Sequence, residues 1–266
     1  MRVTILGSGQ DGGLPQFGAD HPHDSDARAG TLLERSASSI LVEVRGASIL
    51  LDIGPDARTQ WWSRIGAPDA IAITHAHMGH YTGLVHLGRE SMSADGIRCH
   101  LTRSMLSFLE QNQPWRRLID LGNIEPELAN PYRCEQYTMR LIPVPHRAEH
   151  TDTVALSIDG RVLYLPDIDS WDEWPLAESV IASHELALLD ATFWSADELP
   201  GRFSDVSHPP VVETIERFAH LDTSIVLTHL NHTNPLVDPT SDPSRTVSDL
   251  GWRIARDGLI IGLPES

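Results

Sequence analysis

The sequence predicts an α/β protein built from two packed β-sheets with helices on both outer faces. Three observations predict it. Short apolar runs, Ile49-Leu50-Leu51, Ile71-Ala72-Ile73 and Ile225-Val226-Leu227, suit strands covered on both sides. Strand patterns lead the chain and then alternate with helical ones, so each half supplies several strands and at least two helices. No linker-like stretch interrupts the 266 residues, and a single domain over 1–266 is expected.

In order along the chain, Arg2–Leu6, Ser39–Val44 and Ser48–Asp52 read as strands, the last two joined by the turn Arg45-Gly46-Ala47. A polar, Gly-rich loop runs from Gly7 to about Arg35 and contains Gly12-Gly13-Leu14-Pro15 and His21-Pro22-His23-Asp24. It is too long for a connector and too polar for core, so it is expected to cover a site or make a contact. Asp56–Ile65 reads as a helix with Trp61-Trp62 on its packing face. Ala70–Ile73 is a strand, and Gly83–Met92 a helix. Ile97–Leu101 is a strand and Arg103–Gln111 a helix, while Gln113–Tyr132, punctuated by Pro and Asn, reads as irregular. Strands Tyr137–Val144, Thr153–Ile158 and Arg161–Leu165 follow, the last two joined by an Asp159-Gly160 hairpin turn. The remaining elements are a helix near Pro175–Ala182, strand Leu186–Leu189, helix Pro209–His220, strand Ser224–Thr228, helix Ser244–Arg256 and strand Leu259–Ile261.

With 41% hydrophobic and 21% charged residues, the composition is that of an ordinary globular protein. No apolar run is long enough to span a membrane, and Met1-Arg2-Val3-Thr4-Ile5-Leu6-Gly7 reads as a strand rather than a signal peptide. Cys99 and Cys134 form no C-x-x-C motif, so no disulfide framework is expected and the cytoplasm is the default location. A formal net charge of −17 argues against a phosphate-backbone partner such as DNA or tRNA. Bound divalent metal would offset that charge locally. A small-molecule substrate is the expected partner, with no nucleic acid and no membrane; a homodimer is a candidate assembly.

The most informative stretch is Ile71-Ala72-Ile73-Thr74-His75-Ala76-His77-Met78-Gly79-His80-Tyr81-Thr82-Gly83. A buried strand runs straight into three histidines. Alternate residues of a strand face the same way, so His75 and His77 can both point off its end, and His80 can face them one turn later. Neutral imidazole is the commonest metal ligand, and three converging imidazoles call for an ion between them. Four further strands end in a residue that binds metals: Asp52 after Leu51, His146 after Val144-Pro145, Asp167 after Leu165-Pro166, and His229 after Thr228. Each alone reads as a turn cap. Together they describe apolar strands delivering His or Asp to one sheet edge.

In these motifs the sequence resembles the metallo-β-lactamase fold superfamily, over nearly its whole length from Leu6-Gly7-Ser8-Gly9 to Thr228-His229. Within it, Gly12-Gly13-Leu14-Pro15-Gln16 and Leu227-Thr228-His229-Leu230-Asn231-His232-Thr233-Asn234-Pro235 are similar to the pyrroloquinoline quinone biosynthesis protein B group. The resemblance implies an αββα sandwich with a metal site at one edge between the sheets. It implies a first metal held by His75, His77 and His146, a second held by His80 and His229, and Asp167 bridging. Asp52 would orient a histidine or the loop rather than bind metal. Zinc, one ion or two, is the expected cofactor, with Fe2+ or Mn2+ as alternatives.

Two departures stand out. The usual segment of the family is H-x-H-x-D-H, and here Gly79 stands at the Asp. That removes the second metal's own carboxylate and leaves His80, His229 and Asp167, the two-histidine, one-carboxylate type of non-haem iron sites. The first set is the three-histidine type of a catalytic zinc. Restoring the carboxylate with Gly79→Asp is therefore expected to raise occupancy of the second position. Secondly, relatives carry a Cys cluster in the N-terminal loop that holds a structural zinc, and this chain has none; His21 and His23 read as solvated loop residues.

His208, ahead of a helix, matches a histidine that in related hydrolases helps protonate the leaving group. Asp167 and His208 are thus the candidate catalytic residues. Asp169 is a candidate partner of a metal histidine, His232 a candidate lining residue, and Tyr81 and Trp171 candidate pocket walls; His86 and His100 read as structural or solvated. The expected function is a metal-dependent hydrolase of a small ester, lactone, amide or phosphodiester, with hydroxide made available at neutral pH by the metal. Gly79 keeps an iron-dependent oxygenase or oxidase of cofactor or natural-product biosynthesis as an alternative. A metal-binding accessory protein without catalysis is the third.

Overall fold

The computed structural model of the chain describes residues 1–61, 66–199, 201 and 207–264. Its elements in chain order are β1 (Arg2–Gly7), α1 (Pro22–Arg28), β2 (Ser39–Val44), β3 (Ala47–Leu51), α2 (Ala57–Gln60), β4 (Ala70–Ala72), α3 (Met78–Tyr81), β5 (Ile97–His100), α4 (Arg103–Gln111), α5 (Trp115–Asp120) and β6 (Ile124–Glu127). Then follow β7 (Tyr132–Arg133), β8 (Thr138–Val144), β9 (Thr153–Ile158), β10 (Val162–Leu165), α6 (Ala177–Ala182), β11 (Leu186–Asp190), α7 (Val211–Phe218), β12 (Ser224–Thr228), α8 (Asp242–Asp249), β13 (Arg253–Ile254) and β14 (Ile260–Gly262). The strands form two seven-stranded sheets, ordered β14-β1-β2-β3-β4-β5-β6 and β13-β12-β11-β10-β9-β8-β7.

Three apolar layers explain why the sheets stack. Side chains of alternate strand residues point to opposite faces. Ile49 and Leu51 therefore face the second sheet, with Ile5, Ile40 and Val42, against Leu141, Leu156, Tyr164 and Leu188. Leu50 points the other way, into an outer layer with Ile71, Ile73, Met105, Leu109 and Leu118 under α4 and α5. On the far side, Leu163, Leu165 and Leu189 pack with Ile181, Val211, Phe218 and Val247 of α6, α7 and α8. The result is the αββα sandwich expected from the sequence.

Strand direction places the site. β3 and β4 are parallel, as are β10, β11 and β12. β8 and β10 are each antiparallel to β9, so they too run the same way. The C-terminal ends of these strands in each sheet share one edge. The two sheets are tied together there by Val154 N donating to Thr74 O at 3.1 Å.

Several expected elements are corrected. The helix expected over Gly83–Met92 is a 3₁₀ segment, Thr82–Leu87, after the short α3. Backbone bonds Ile53 N to His80 O and Gly83 N to Ile53 O, both 2.9 Å, pin this region to the end of β3. A Cβ on Gly83 would lie 2.3 Å from Gly54 O, so glycine allows that approach. The irregular stretch Gln113–Tyr132 contains α5 and β6. Pro114 sits at the helix start, where a missing N–H costs nothing, and Pro126 lies on an edge strand, where it is tolerated. The helix expected over Ser244–Arg256 ends at Asp249, ahead of Gly251 at φ 74°, and Arg253–Ile254 joins the second sheet instead. The N-terminal loop carries the short α1. Of the helix expected at Asp56–Ile65, α2 is present and residues 62–65, with Trp62, lie outside the described residues.

Candidate metal centre

Strand ends and two loops deliver imidazoles and carboxylates to the shared edge. β4 continues through Ile73 and Thr74 to His75, and His77 forms the extended N-terminal cap of α3, which carries His80. His146 follows β8, Asp167 follows β10 and His229 follows β12. Among the described residues, His75, His77, His146 and Asp167 bring ligand atoms within 4.8 Å of one another, and so do Asp11, His80 and His229, and Asp167, His208 and His229. In the first group the rings of His75 and His77 are 4.4 Å apart, those of His75 and His146 5.1 Å, and those of His77 and His146 5.0 Å. His77 turns Nδ1 inward, 3.3 Å from His146 Nε2. In the second group, the His80 and His229 rings are 5.4 Å apart. Asp167 lies between the groups: Oδ1 is 3.6 Å from His146 Nε2, while Oδ2 is 3.2 Å from His80 Nε2 and 3.4 Å from His229 Nε2.

The histidines are held from behind by one device used twice. Buried Asp52 accepts hydrogen bonds from Thr74 N (2.8 Å) and Thr74 Oγ1, and lies 2.7 Å from His80 Nδ1. Thr74 Oγ1 is in turn 2.9 Å from His75 Nδ1. Buried Asp190, at the end of β11, accepts from Thr192 N and Oγ1 and lies 2.7 Å from His208 Nδ1; Thr192 Oγ1 is 2.9 Å from His229 Nδ1. With the hydroxyls donating to the carboxylates, they accept from Nδ1–H, which turns the Nε2 lone pairs of His75 and His229 inward. Asp169 Oδ1 is 2.7 Å from His146 Nδ1. Asp52 and His229 adopt left-handed φ values of 58° and 62°. Such backbone costs about 1–3 kcal/mol per residue and concentrates at functional sites.

The charge pattern fits a cation. Burial holds the imidazole of His75 well below its ordinary pKa, with His80 adding to the effect, so its ring stays neutral. Burial and Asp167 act in opposite senses on His146, and burial prevails, lowering it. His80 is the reverse: burial opposes its charge, but Asp52, Asp167 and Asp11 hold it well above the ordinary value. Burial raises Asp167, yet His229, His80 and His75 together keep it well below the carboxylate range. Metal binding would replace the proton on His80. The decisive fit is that His75 Nε2, His80 Nε2, His229 Nε2 and Asp167 Oδ2 are buried with no hydrogen bond within the protein. Buried polar atoms without a hydrogen bond cost about 1–3 kcal/mol each, and divalent ions held in the two groups would satisfy them.

A family model described as the beta-lactamase superfamily domain matches residues 47–257. The chain belongs to the metallo-β-lactamase fold superfamily. Within this superfamily it is 28% identical to coenzyme PQQ synthesis protein B of Xanthomonas campestris pv. campestris (strain B100), over 99% of this chain and 100% of that protein. The same protein from Ruegeria pomeroyi is also 28% identical, at 99% and 100% coverage. The crystal structure of Zn2+-bound PqqB from Methylobacterium extorquens superposes with a TM-score of 0.82 at 25% identity, covering 99% of this chain and 100% of that one. A diphosphatase of the PhnP family shares the fold, with a TM-score of 0.73 at 22% identity over 98% and 97% of the two chains.

All six expected ligands, His75, His77, His80, His146, Asp167 and His229, are brought together, and Asp52 and Asp169 stand behind histidines as expected. His208 is buried beside them, its ring 5.5 Å from that of His146 and 5.9 Å from that of His229. Asp11 was missed. It lies 3.2 Å from His80 Nε2 and 3.7 Å from His229 Nε2, so the second group has a carboxylate besides Asp167, contrary to the two-histidine, one-carboxylate set expected from Gly79. Asp190 was also missed, although its place at the end of a strand repeats the signal that found Asp52 and Asp167.

Other expectations are corrected. His232 pairs with Asp24 at 2.7 Å, beside His21 and His23, rather than lining the metal groups. Tyr81 packs in the core against Phe108 and Trp115, and Trp171 against Trp174 and Phe218, so neither is a pocket wall of the site. His100 is structural, as expected, buried 2.9 Å from Tyr137 Oη. His86 lines an apolar cavity with Leu6, Leu50, Ile53, Trp61 and Met92, which includes none of the candidate ligands.

Proposed function

We propose that the chain is a metal-dependent hydrolase of a small-molecule ester, lactone, amide or phosphodiester. The observation that supports it most is the set of buried Nε2 atoms without a hydrogen bond, on His75, His80 and His229, gathered around Asp167 from both sheets. His75, His77 and His146 would hold one divalent ion, His80, His229 and Asp11 a second, and Asp167 would face both. Zinc is the favoured metal, as the PqqB relative is described as Zn2+-bound. Iron and manganese are the alternatives. Bound there, the metal supplies hydroxide at neutral pH and an electrophile for the substrate oxygen.

The protein's own groups do the rest. Asp167 orients the attacking water by accepting its hydrogen bond. Asp52 with Thr74, and Asp190 with Thr192, keep the rings from rotating. His208 is placed to give a proton to the leaving group. Burial opposes its charge, but Asp190, then Asp167, raise its pKa above the ordinary imidazole value, which favours the proton-donating form. His208→Ala is expected to lower kcat by about 100-fold or more while leaving metal stoichiometry unchanged. A fall in metal content instead would make His208 a ligand rather than a proton donor.

A second reading is favoured by the name of the relatives, coenzyme PQQ synthesis protein B: an iron-dependent oxygenase or oxidase of cofactor biosynthesis. Metal analysis of protein purified without added metal, with turnover of p-nitrophenyl acetate and bis-p-nitrophenyl phosphate, separates the two. Two zincs with hydrolysis support the first; iron with O₂ consumption and no hydrolysis overturns it. Full pathway activity with alanine at His75 or His146 would favour a non-catalytic accessory role over both.

A further inference from the structure

We propose that the carboxylate of the second metal position has been relocated from α3 to the N-terminal loop, where Asp11 fills the space that Gly79 leaves open. A Cβ built on Gly79 would lie 2.1 Å from Asp11 Oδ1, 2.6 Å from its Cγ and 2.8 Å from its Cα. Atoms do not approach so closely, so a side chain at 79 and Asp11 in its present place exclude each other. Gly79 is thus the condition for Asp11 rather than the loss of a ligand. The carboxylate that takes the space points at its targets: Oδ1 is 3.2 Å from His80 Nε2 and 3.7 Å from His229 Nε2. His80 is fully buried and His229 is 1% exposed, and neither Nε2 has a hydrogen bond in the protein.

The loop is built to hold Asp11 there. Ser8 O accepts from Leu230 N at 3.0 Å and Gln10 N donates to Leu230 O at 2.9 Å, so Ser8–Gln10 runs beside the residue that follows His229. The Asn231 side-chain amide donates to Gln10 Oε1. Gly13 N closes a turn onto Gln10 O at 2.8 Å, and Gly13 (φ 63°) lies so close to Arg35 that a Cβ would be 2.7 Å from Arg35 O. Buried Arg35 fixes the base of the loop through Ser8 Oγ (2.9 Å) and Ala255 O. The long polar loop of the sequence is therefore part of the site. The first position is complete on strand ends and the α3 turn, whereas the second is complete only with the loop docked.

The inference rests on the metal binding proposed above, but not on hydrolysis. It reverses the effect expected of Gly79→Asp from sequence. The test is Zn2+ titration of metal-depleted protein by calorimetry, with stoichiometry checked by elemental analysis. Native protein is expected to bind two equivalents. Asp11→Gly is expected to bind one tightly and the second about 100-fold or more weaker. Gly79→Asp alone is expected to lose second-position affinity as well, because its side chain meets Asp11. The double variant Asp11→Gly/Gly79→Asp is expected to regain two tight equivalents. If Asp11→Gly retains two, or if the double variant binds the second ion no better than Asp11→Gly while melting like native protein, the relocation is wrong. Should Gly79→Asp alone fail to fold, Asp11→Gly against the double variant still decides. Two equivalents in this pattern without turnover of any ester or phosphodiester would overturn the hydrolase and leave the relocation standing.

Discussion

Asp167→Asn is expected to weaken metal binding at both positions at once and to lower kcat/KM by about 1000-fold, about 4 kcal/mol of transition-state stabilisation. Asp167 is the side chain that faces histidines of both groups, with Oδ1 toward His146 and Oδ2 toward His80 and His229, and it is 3% exposed. Asparagine keeps the shape and removes the charge. What would be lost is the anionic centre that, in the proposed site, faces two cations, together with the acceptor proposed to orient water. Single-position variants set the contrast. His77→Ala is expected to empty the first position and Asp11→Gly the second, each leaving one equivalent of Zn2+. Elemental analysis after dialysis reads all three. Two equivalents retained by Asp167→Asn would mean that this carboxylate does not join the positions.

Asp52→Ala is expected to destabilise the metal-free protein by about 3–5 kcal/mol. Asp52 is fully buried and answers Thr74 N, Thr74 Oγ1 and His80 Nδ1 at once. Removing it strands these groups, each at a cost of about 1–3 kcal/mol, and leaves the raised positive charge of His80 without its nearest counter-charge. Urea denaturation in chelator measures the change without the contribution of ligand binding. Metal affinity should fall with it, because the Thr74 hydroxyl that holds His75 loses its acceptor. A loss below about 1 kcal/mol would show that the network is not held through Asp52.

The fold was legible where periodicity and position agree. Runs such as Ile49-Leu50-Leu51 suited strands sandwiched between layers, and the repetition of a histidine or aspartate just past successive strand ends pointed to one edge. Helix boundaries around α3 were not legible, because the backbone bonds between Ile53, His80 and Gly83 that break the helix are tertiary. Asp190 was within reach of the reading that found Asp167, since it too ends a buried strand. Asp11 was not. It sits in a glycine-rich loop with no ligand spacing around it, and its partners are brought to it by the pairing of Ser8–Gln10 with Leu230. The sequence showed the vacancy at Gly79; only the three-dimensional structure shows what fills it.

The central claim is a two-position metal centre completed by the loop. Anomalous scattering at the zinc and iron edges, on crystals of protein purified without added metal, tests it most directly. The expected result is two peaks, one among His75, His77 and His146, the other among Asp11, His80 and His229, with Asp167 between them. A single peak at the first position, with Asp11 turned away from His80, would contradict it.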